Sequence, residues 1–181
     1  MNSTLTSSPA REHTDFRLRR PTAVDGRKVH ALIARCPPLD TNSLYCNLLQ
    51  CTFYASTCVL AERHDEPIGF ISAFVEPENP QCVFVWQVAV APEARGLGLG
   101  LSMLLELLAR PACAEVHTLH TTITPDNGAS WALFNSLARR LGTAISDQVQ
   151  FDRTQHFDNR HDSELLVTIG RFPTAAPLSD H

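Results

Sequence analysis

Arginine followed by glycine at every second position is the chemically most suggestive spacing in the chain. The stretch VWQVAVAPEARGLGLG runs from Val85 to Gly100, and a leucine-rich run follows it. An apolar strand that enters such a turn and then a helix leaves several N–H groups unbonded at the helix mouth. Their dipoles converge and favour an anion there. Bare glycines let that anion approach the backbone, and Arg95 adds a fixed positive charge beside it. The chemistry implied is phosphate binding by Arg95, Gly96, Leu97, Gly98, Leu99 and Gly100. A Walker loop would need G-x-x-x-x-G-K-[ST], a string the chain lacks. The dinucleotide fingerprint G-x-G-x-x-G would need glycine where Leu101 stands, and that fingerprint usually opens its domain. A tight strand-to-helix turn with glycines kept for packing is the structural alternative.

Other residue groups carry weaker signals. The cysteines Cys36, Cys46, Cys51, Cys58, Cys82 and Cys113 include no C-x-x-C pair, so they read as buried thiols in a reducing cytosol. His117 and His120 lie in the alternating run VHTLHTTIT, where positions three apart face opposite ways, so no metal is expected there. The 15 basic against 19 acidic side chains leave a net charge of −4. That balance disfavours generic nucleic-acid or anionic-membrane binding. No apolar run approaches the ~20 residues of a spanning helix. The opening MNSTLTSSPAREHTD has no apolar core of a secretory signal. These features predict a cytoplasmic protein.

Elements that would hold the glycine turn follow from periodicity. Residues 1–15 are expected to form a disordered tail, 16–172 one domain and 173–181 a second tail. FRLRRP, from Phe16, alternates like an edge strand. Behind a Thr22 cap, Val29, Leu32, Ile33 and Cys36 recur at helical spacing. A second helix is expected from Thr41 or Asn42, with Leu44, Leu48 and Cys51 inward. Three strands then meander from Cys58 to Val90, turning at Asp65-Glu66 and between Pro77 and Pro80. The glycine turn leads into a helix with Leu101, Leu104, Leu105 and Leu108 on one face, stopped by Pro111. A strand over VHTLHTTIT precedes a fourth helix with Leu133, Leu137 and Leu141 inward. Two strands near 144–151 and 164–169 flank the polar segment DRTQHFDNRHDS. The order β-α-α-β-β-β-α-β-α-β-β predicts an α+β fold with one central mixed, mostly antiparallel sheet flanked by helices.

The segment VAVAPEARGLGLG resembles the acetyl-coenzyme A signature R/Q-x-x-G-x-G/A of the GCN5-related N-acetyltransferases, carried by Arg95, Gly98 and Gly100. The element order resembles that fold as well. The resemblance implies that the amides from Arg95 to Gly100 wrap the coenzyme pyrophosphate. It also implies that the edge of Val88, Ala89 and Val90 pairs with the pantetheine amides and that Asn127 contacts the pantetheine arm. Where many members carry a tyrosine to protonate the leaving thiolate, this chain has Phe134, which has no proton to give.

CPPLDTNSLYCNLLQCTFYASTC, FVWQVAV and RHDSELLVTI further resemble the members of that family that acetylate L-2,4-diaminobutyrate on its 4-amino group, in ectoine formation. Acetyl-CoA would be the co-substrate, with no metal, and a homodimer is implied by the same likeness. For such an acceptor, Asp40 would pair with an ammonium. Thr41, Asn42 and Ser43 would offer donors to the carboxylate, although DTNS is also an ordinary capping sequence. Tyr45 lies a turn beyond, and Trp86 offers a cation–π face. An alkylammonium has a reference pKa of ~10.4 and attacks only after losing a proton. His161 or Asp162 is the expected base, and Tyr45 a possible acid for the thiolate. Another small amine, a peptide acceptor, or a non-catalytic acyl-CoA sensor are the competing readings.

Overall fold

Seven short runs of alternating apolar residues become seven strands, and four longer periodic runs become helices. The structure is a computed structural model and describes residues 16–174. The tail expected over 1–15 lies outside the described residues, as does all but the start of that expected over 173–181. In chain order the elements are β1 (Arg17–Arg19), α1 (Gly26–Ala34), α2 (Leu44–Thr52), β2 (Val59–Arg63), β3 (Glu66–Glu76) and β4 (Asn79–Val90). They continue with α3 (Leu99–Leu108), β5 (Thr118–Ile123), α4 (Gly128–Leu141), β6 (Ile145–Phe151) and β7 (Glu164–Gly170). The sheet order is β1-β2-β3-β4-β5-β7-β6. Its pairs are antiparallel except β4–β5, which is parallel and joined through α3. Element order and sheet type are those expected from the sequence.

Helix faces deviate in an instructive way. In α1 the expected Val29, Leu32 and Ile33, with Cys36 beyond its end, are all buried. In α2 the buried face is Asn47, Gln50 and Cys51, while Leu44 stands exposed. Asn47 is held there by bonds to Gln50 and His30, so hydrogen bonding rather than apolarity decides which way the helix turns. Ser43 caps α2 by accepting from Cys46 N at 3.1 Å, which starts the helix later than expected. In α3 the buried set is Leu99, Met103, Leu104, Leu107 and Leu108, rather than the stripe through Leu101 and Leu105. Because α3 packs on both the sheet and α4, and is apolar nearly all round, no single stripe specifies its orientation. In α4 Phe134, Leu137 and Ala138 are buried, with Leu133 and Leu141 partly so. Full burial of a leucine or isoleucine such as Leu104, Leu119 or Ile169 contributes roughly 1.5–3 kcal/mol.

A polar knot fixes the first helix to the sheet. The Arg19 guanidinium donates to both Asp25 carboxylate oxygens at 2.8 Å, and its Nε donates to Glu62 at 2.7 Å. Thr22 adds its backbone N–H and hydroxyl to the same Asp25 oxygen. The Arg19 hydrogen bonds, helped by those of Thr22 and opposed by burial, hold the Asp25 carboxyl down at about 2. Replacing Asp25 by Asn should lower the unfolding free energy by about 2 kcal/mol in urea titrations at neutral pH. A depressed carboxyl stabilises fully above its unfolded pKa of ~3.9 and loses that contribution as pH falls through about 2. The deficit of the variant should therefore shrink across that interval. A deficit independent of pH would show that the charge of Asp25 is not what stabilises the knot.

Candidate active site

The parallel pair is short. Its register runs Cys82↔Thr118, Val83↔Leu119 and Phe84↔His120, and then stops, although β4 continues to Val90 and β5 to Ile123. Beyond Phe84 the two strands splay, so among the described residues the β5-facing edge of Val85–Val90 has no strand partner, whereas the opposite edge stays paired with β3. An apolar core floors the opening, where Phe134 is 2% exposed. The resulting cleft has a volume of about 940 Å³.

At the C-terminal end of β4 lies the glycine turn. Gly96 and Gly98 have φ of 77° and 73°, a left-handed conformation that glycine adopts without penalty. A Cβ at either would meet no neighbour, so conformation rather than space requires glycine at these two positions. Gly100 differs: a Cβ there would come within 3.3 Å of Leu133, so it serves the contact between α3 and α4. After Arg95, the next amide that donates to a backbone carbonyl is that of Ser102, bonded to Gly98 O at 3.0 Å. The N–H groups in between point from an exposed turn at the mouth of α3 and can bind a diphosphate. Arg95 folds back with its Nε 3.4 Å from Val90 O. Asn127 caps α4 by accepting from Ser130 N at 3.1 Å, and it also lines the cleft.

The opposite wall is built by β4 and the loop between α1 and α2. Trp86 is the extra residue of a β-bulge, because Gln87 pairs with Ser72 and Val85 with Ala73. The bulge re-aims its side chain, which lines the cleft and remains 48% exposed. Gln87 latches the α1–α2 loop to β4. Its Nε2 donates to the Asp40 carbonyl at 2.9 Å, and its Oε1 accepts from Asn42 Nδ2 at 3.3 Å. Asp40 and Asn42 thereby line the cleft together with Trp86. Thr41 and Ser43 lie outside its lining, Ser43 serving as the helix cap. Tyr45, 69% exposed on α2, is not brought to the cleft.

The polar segment between β6 and β7 closes the third side. It is a built loop: Asp152 Oδ1 accepts from the N–H of Thr154 and Gln155, and Ser163 Oγ accepts from Arg153 N at 2.9 Å. His161 leans on Phe157 at 4.7 Å between ring centroids. Its Nδ1 is 2.7 Å from Asp162 O, so Nδ1 carries a hydrogen, and in the neutral ring Nε2 holds the lone pair. That Nε2 lies 3.9 Å from Glu164 Oε1, and both residues line the cleft. A lone pair and a carboxylate so placed leave room for an N–H donor between them. Asp162 is committed to an ion pair with Arg153 at 2.9 Å. Gln87, Arg153 and Glu164 are site residues that periodicity did not single out, since each enters through a loop or a register rather than a motif.

Six free thiols complete the inventory, and burial pushes every one above its ordinary value, Cys51 and Cys82 to about 12. None of them lines the cleft, and burial disfavours the nucleophilic thiolate in each.

An open strand edge ending in an amide-rich glycine turn, above a splayed parallel pair, defines an acyl-coenzyme-A-dependent N-acetyltransferase. The family model described as Acetyltransferase (GNAT) family matches residues 27–138. L-2,4-diaminobutyric acid acetyltransferase of Methylotuvimicrobium alcaliphilum is 51% identical over 155 residues, 86% of this chain and 90% of that one. The enzyme of the same name from Vibrio cholerae is 49% identical over 151 residues, 83% of this chain and 87% of that one. Among solved structures, the diaminobutyrate acetyltransferase of Paenibacillus lautus, in complex with its substrate L-2,4-diaminobutyric acid and coenzyme A, matches with a TM-score of 0.84. It is 39% identical, with 88% of this chain and 97% of that one covered. The chain belongs to the GNAT acetyltransferase family and, within it, to the L-2,4-diaminobutyric acid acetyltransferases.

Gly98→Ala tests the turn. The left-handed conformation costs a non-glycine residue roughly 1–2 kcal/mol. Calorimetry should show acetyl-CoA bound about tenfold more weakly, because relaxing that strain moves the amides. Unchanged affinity would place the diphosphate elsewhere.

Proposed function

We propose that this protein transfers acetyl from acetyl-CoA to the 4-amino group of L-2,4-diaminobutyrate, giving N4-acetyl-L-2,4-diaminobutyrate for ectoine formation. Likeness to a protein solved with that diamino acid and coenzyme A carries the reading, and the charge of the cleft supports it. Asp40, Asp126, Asp162 and Glu164 line it against Arg153 and Arg160, an acidic surplus suited to a substrate with two ammonium groups and one carboxylate.

The amides from Gly96 to Leu101 hold the pyrophosphate, and the open edge of Val88–Val90 hydrogen-bonds the pantetheine amides. The thioester then lies over Phe134 between the splayed strands. Asp40 pairs with an ammonium, and Trp86 presents its ring face to the same charge. The reacting ammonium sits between His161 Nε2 and Glu164, which accept its proton and leave the amine nucleophilic. The amine nitrogen attacks the thioester carbon, and a backbone N–H of the β4 edge stabilises the oxyanion. Collapse breaks the C–S bond and forms the amide, the proton still carried by its nitrogen passing through water to the departing thiolate. The coenzyme thiolate takes its proton from water, since Phe134 has none to give. Tyr45 has no part in this scheme; it is exposed on α2. A cytoplasmic homodimer is the form in which we expect the enzyme to work.

Release of free thiol should depend on both acetyl-CoA and L-2,4-diaminobutyrate. The kcat/KM should fall at least ~10-fold for the diamino acids one methylene shorter or longer, and for a diamine without the carboxylate. Tight coenzyme binding without turnover on any of these amines would identify a sensor instead. Gln87→Ala should raise KM for the diamino acid with little change in kcat, because it frees the loop carrying Asp40. His161→Gln should lower kcat and kcat/KM together. The reverse pattern in the two variants would exchange their roles.

A further inference from the structure

Away from the cleft, three donor side chains from three adjacent strands converge. Glu76 ends β3, Cys82 lies in β4 and His120 in β5, and their potential ligand atoms lie within 4.8 Å of one another. Glu76 and His120 touch at 2.7 Å and are half-buried, while Cys82 is fully buried. Register explains the meeting. Cys82 pairs with Thr118 and Phe84 with His120, so these side chains project from one face of the β4–β5 pair. His117 takes no part, its Nδ1 lying 3.3 Å from Phe172 O. A glutamate–histidine pair needs no third donor, and a cysteine kept only to fill volume needs no polar neighbours. This one has both a carboxylate and an imidazole within 4.8 Å of its sulfur.

We propose that Glu76, Cys82 and His120 form a binding site for a divalent transition metal ion, zinc by the softness of the donor set. Thiolate, imidazole and carboxylate are the ligands zinc takes at about 2.0–2.3 Å, which in a tetrahedron separates donor atoms by about 3.4 Å. Glu76 and His120, 2.7 Å apart without the ion, would have to separate to that spacing on binding it. Water supplies the fourth position from the exposed side. On binding, the Cys82 S–H bond breaks, the S–metal bond forms and the proton passes to solvent, with no change of oxidation state.

The place of the site suggests its purpose. Phe84↔His120 is the last register pair before β4 and β5 part, and Val85 and Thr121, which line the cleft, come next in each strand. A metal joining β3, β4 and β5 here clamps the apex of the wedge. Its role is structural, and it stands whether or not the acceptor has been assigned correctly.

The test uses the full chain, stripped of metal with a chelator under reducing conditions and then freed of the chelator. Titrated Co²⁺ should produce thiolate-to-cobalt charge-transfer absorption that saturates at one equivalent. Cys82→Ser should abolish it, and Cys46→Ser should leave it intact. Glu76→Gln and His120→Asn should weaken Co²⁺ and Zn²⁺ binding at least ~10-fold, the scale on which even outer partners of a metal act. Zn²⁺ should raise the Tm of the parent chain and not that of His120→Asn. Should Cys82→Ser fail to fold, the Glu76 and His120 variants decide the matter. Absence of the charge-transfer band, or its survival at full affinity in His120→Asn, would overturn the proposal.

Discussion

Two parallel strands that pair for three residues and then part are the constraint on which this molecule rests. A free strand edge inside a sheet leaves backbone N–H and C=O groups without partners, a costly condition if water is excluded. Here the edge of β4 beyond Phe84 faces a cleft, so a ligand that carries amides of its own can complete the ladder. The same strand runs directly into the glycine turn at the mouth of α3. Edge and turn therefore belong to one continuous rigid segment, with a fixed distance between them. A molecule with amides along its arm and a diphosphate at its far end matches that pairing, whatever the acceptor opposite.

The acceptor side is assembled differently. Trp86 is turned outward by a bulge, Asp40 is held by a hydrogen bond from Gln87, and His161 rests on Phe157 in a loop cross-braced by Asp152 and Ser163. These supports come from two segments, β4 for Trp86 and Gln87 and the β6–β7 connection for His161. β4 thus serves both walls of the cleft, through its free edge on one side and through Trp86 and Gln87 on the other.

How much was legible beforehand depends on how local the cause was. A positive φ at Gly96 and Gly98 follows from a turn of a few residues, and the strand, turn and helix around it were readable for the same reason. The stripe of α1 was readable because its other face is polar. The faces of α2 and α3 were not. A buried Asn47 held by His30 rotates one helix against its leucines, and an almost wholly apolar surface gives the other no stripe to read. Asp40, Asn42, Trp86 and His161 reach one cleft, but Tyr45, adjacent to it in sequence, faces away because α2 turns its polar stripe inward.

Sequence by itself determined the order of elements, the glycine turn at the mouth of α3 and the absence of a tyrosine at Phe134, since each depends on residues within a turn or two of one another. Tertiary structure alone decided where the parallel pair ends, which loop carboxylates face the cleft, and that Glu76, Cys82 and His120 share one point. Those outcomes are matters of register between strands distant in the chain. Register is set by the packing of the whole sheet against its helices, and no spacing within a single segment records it.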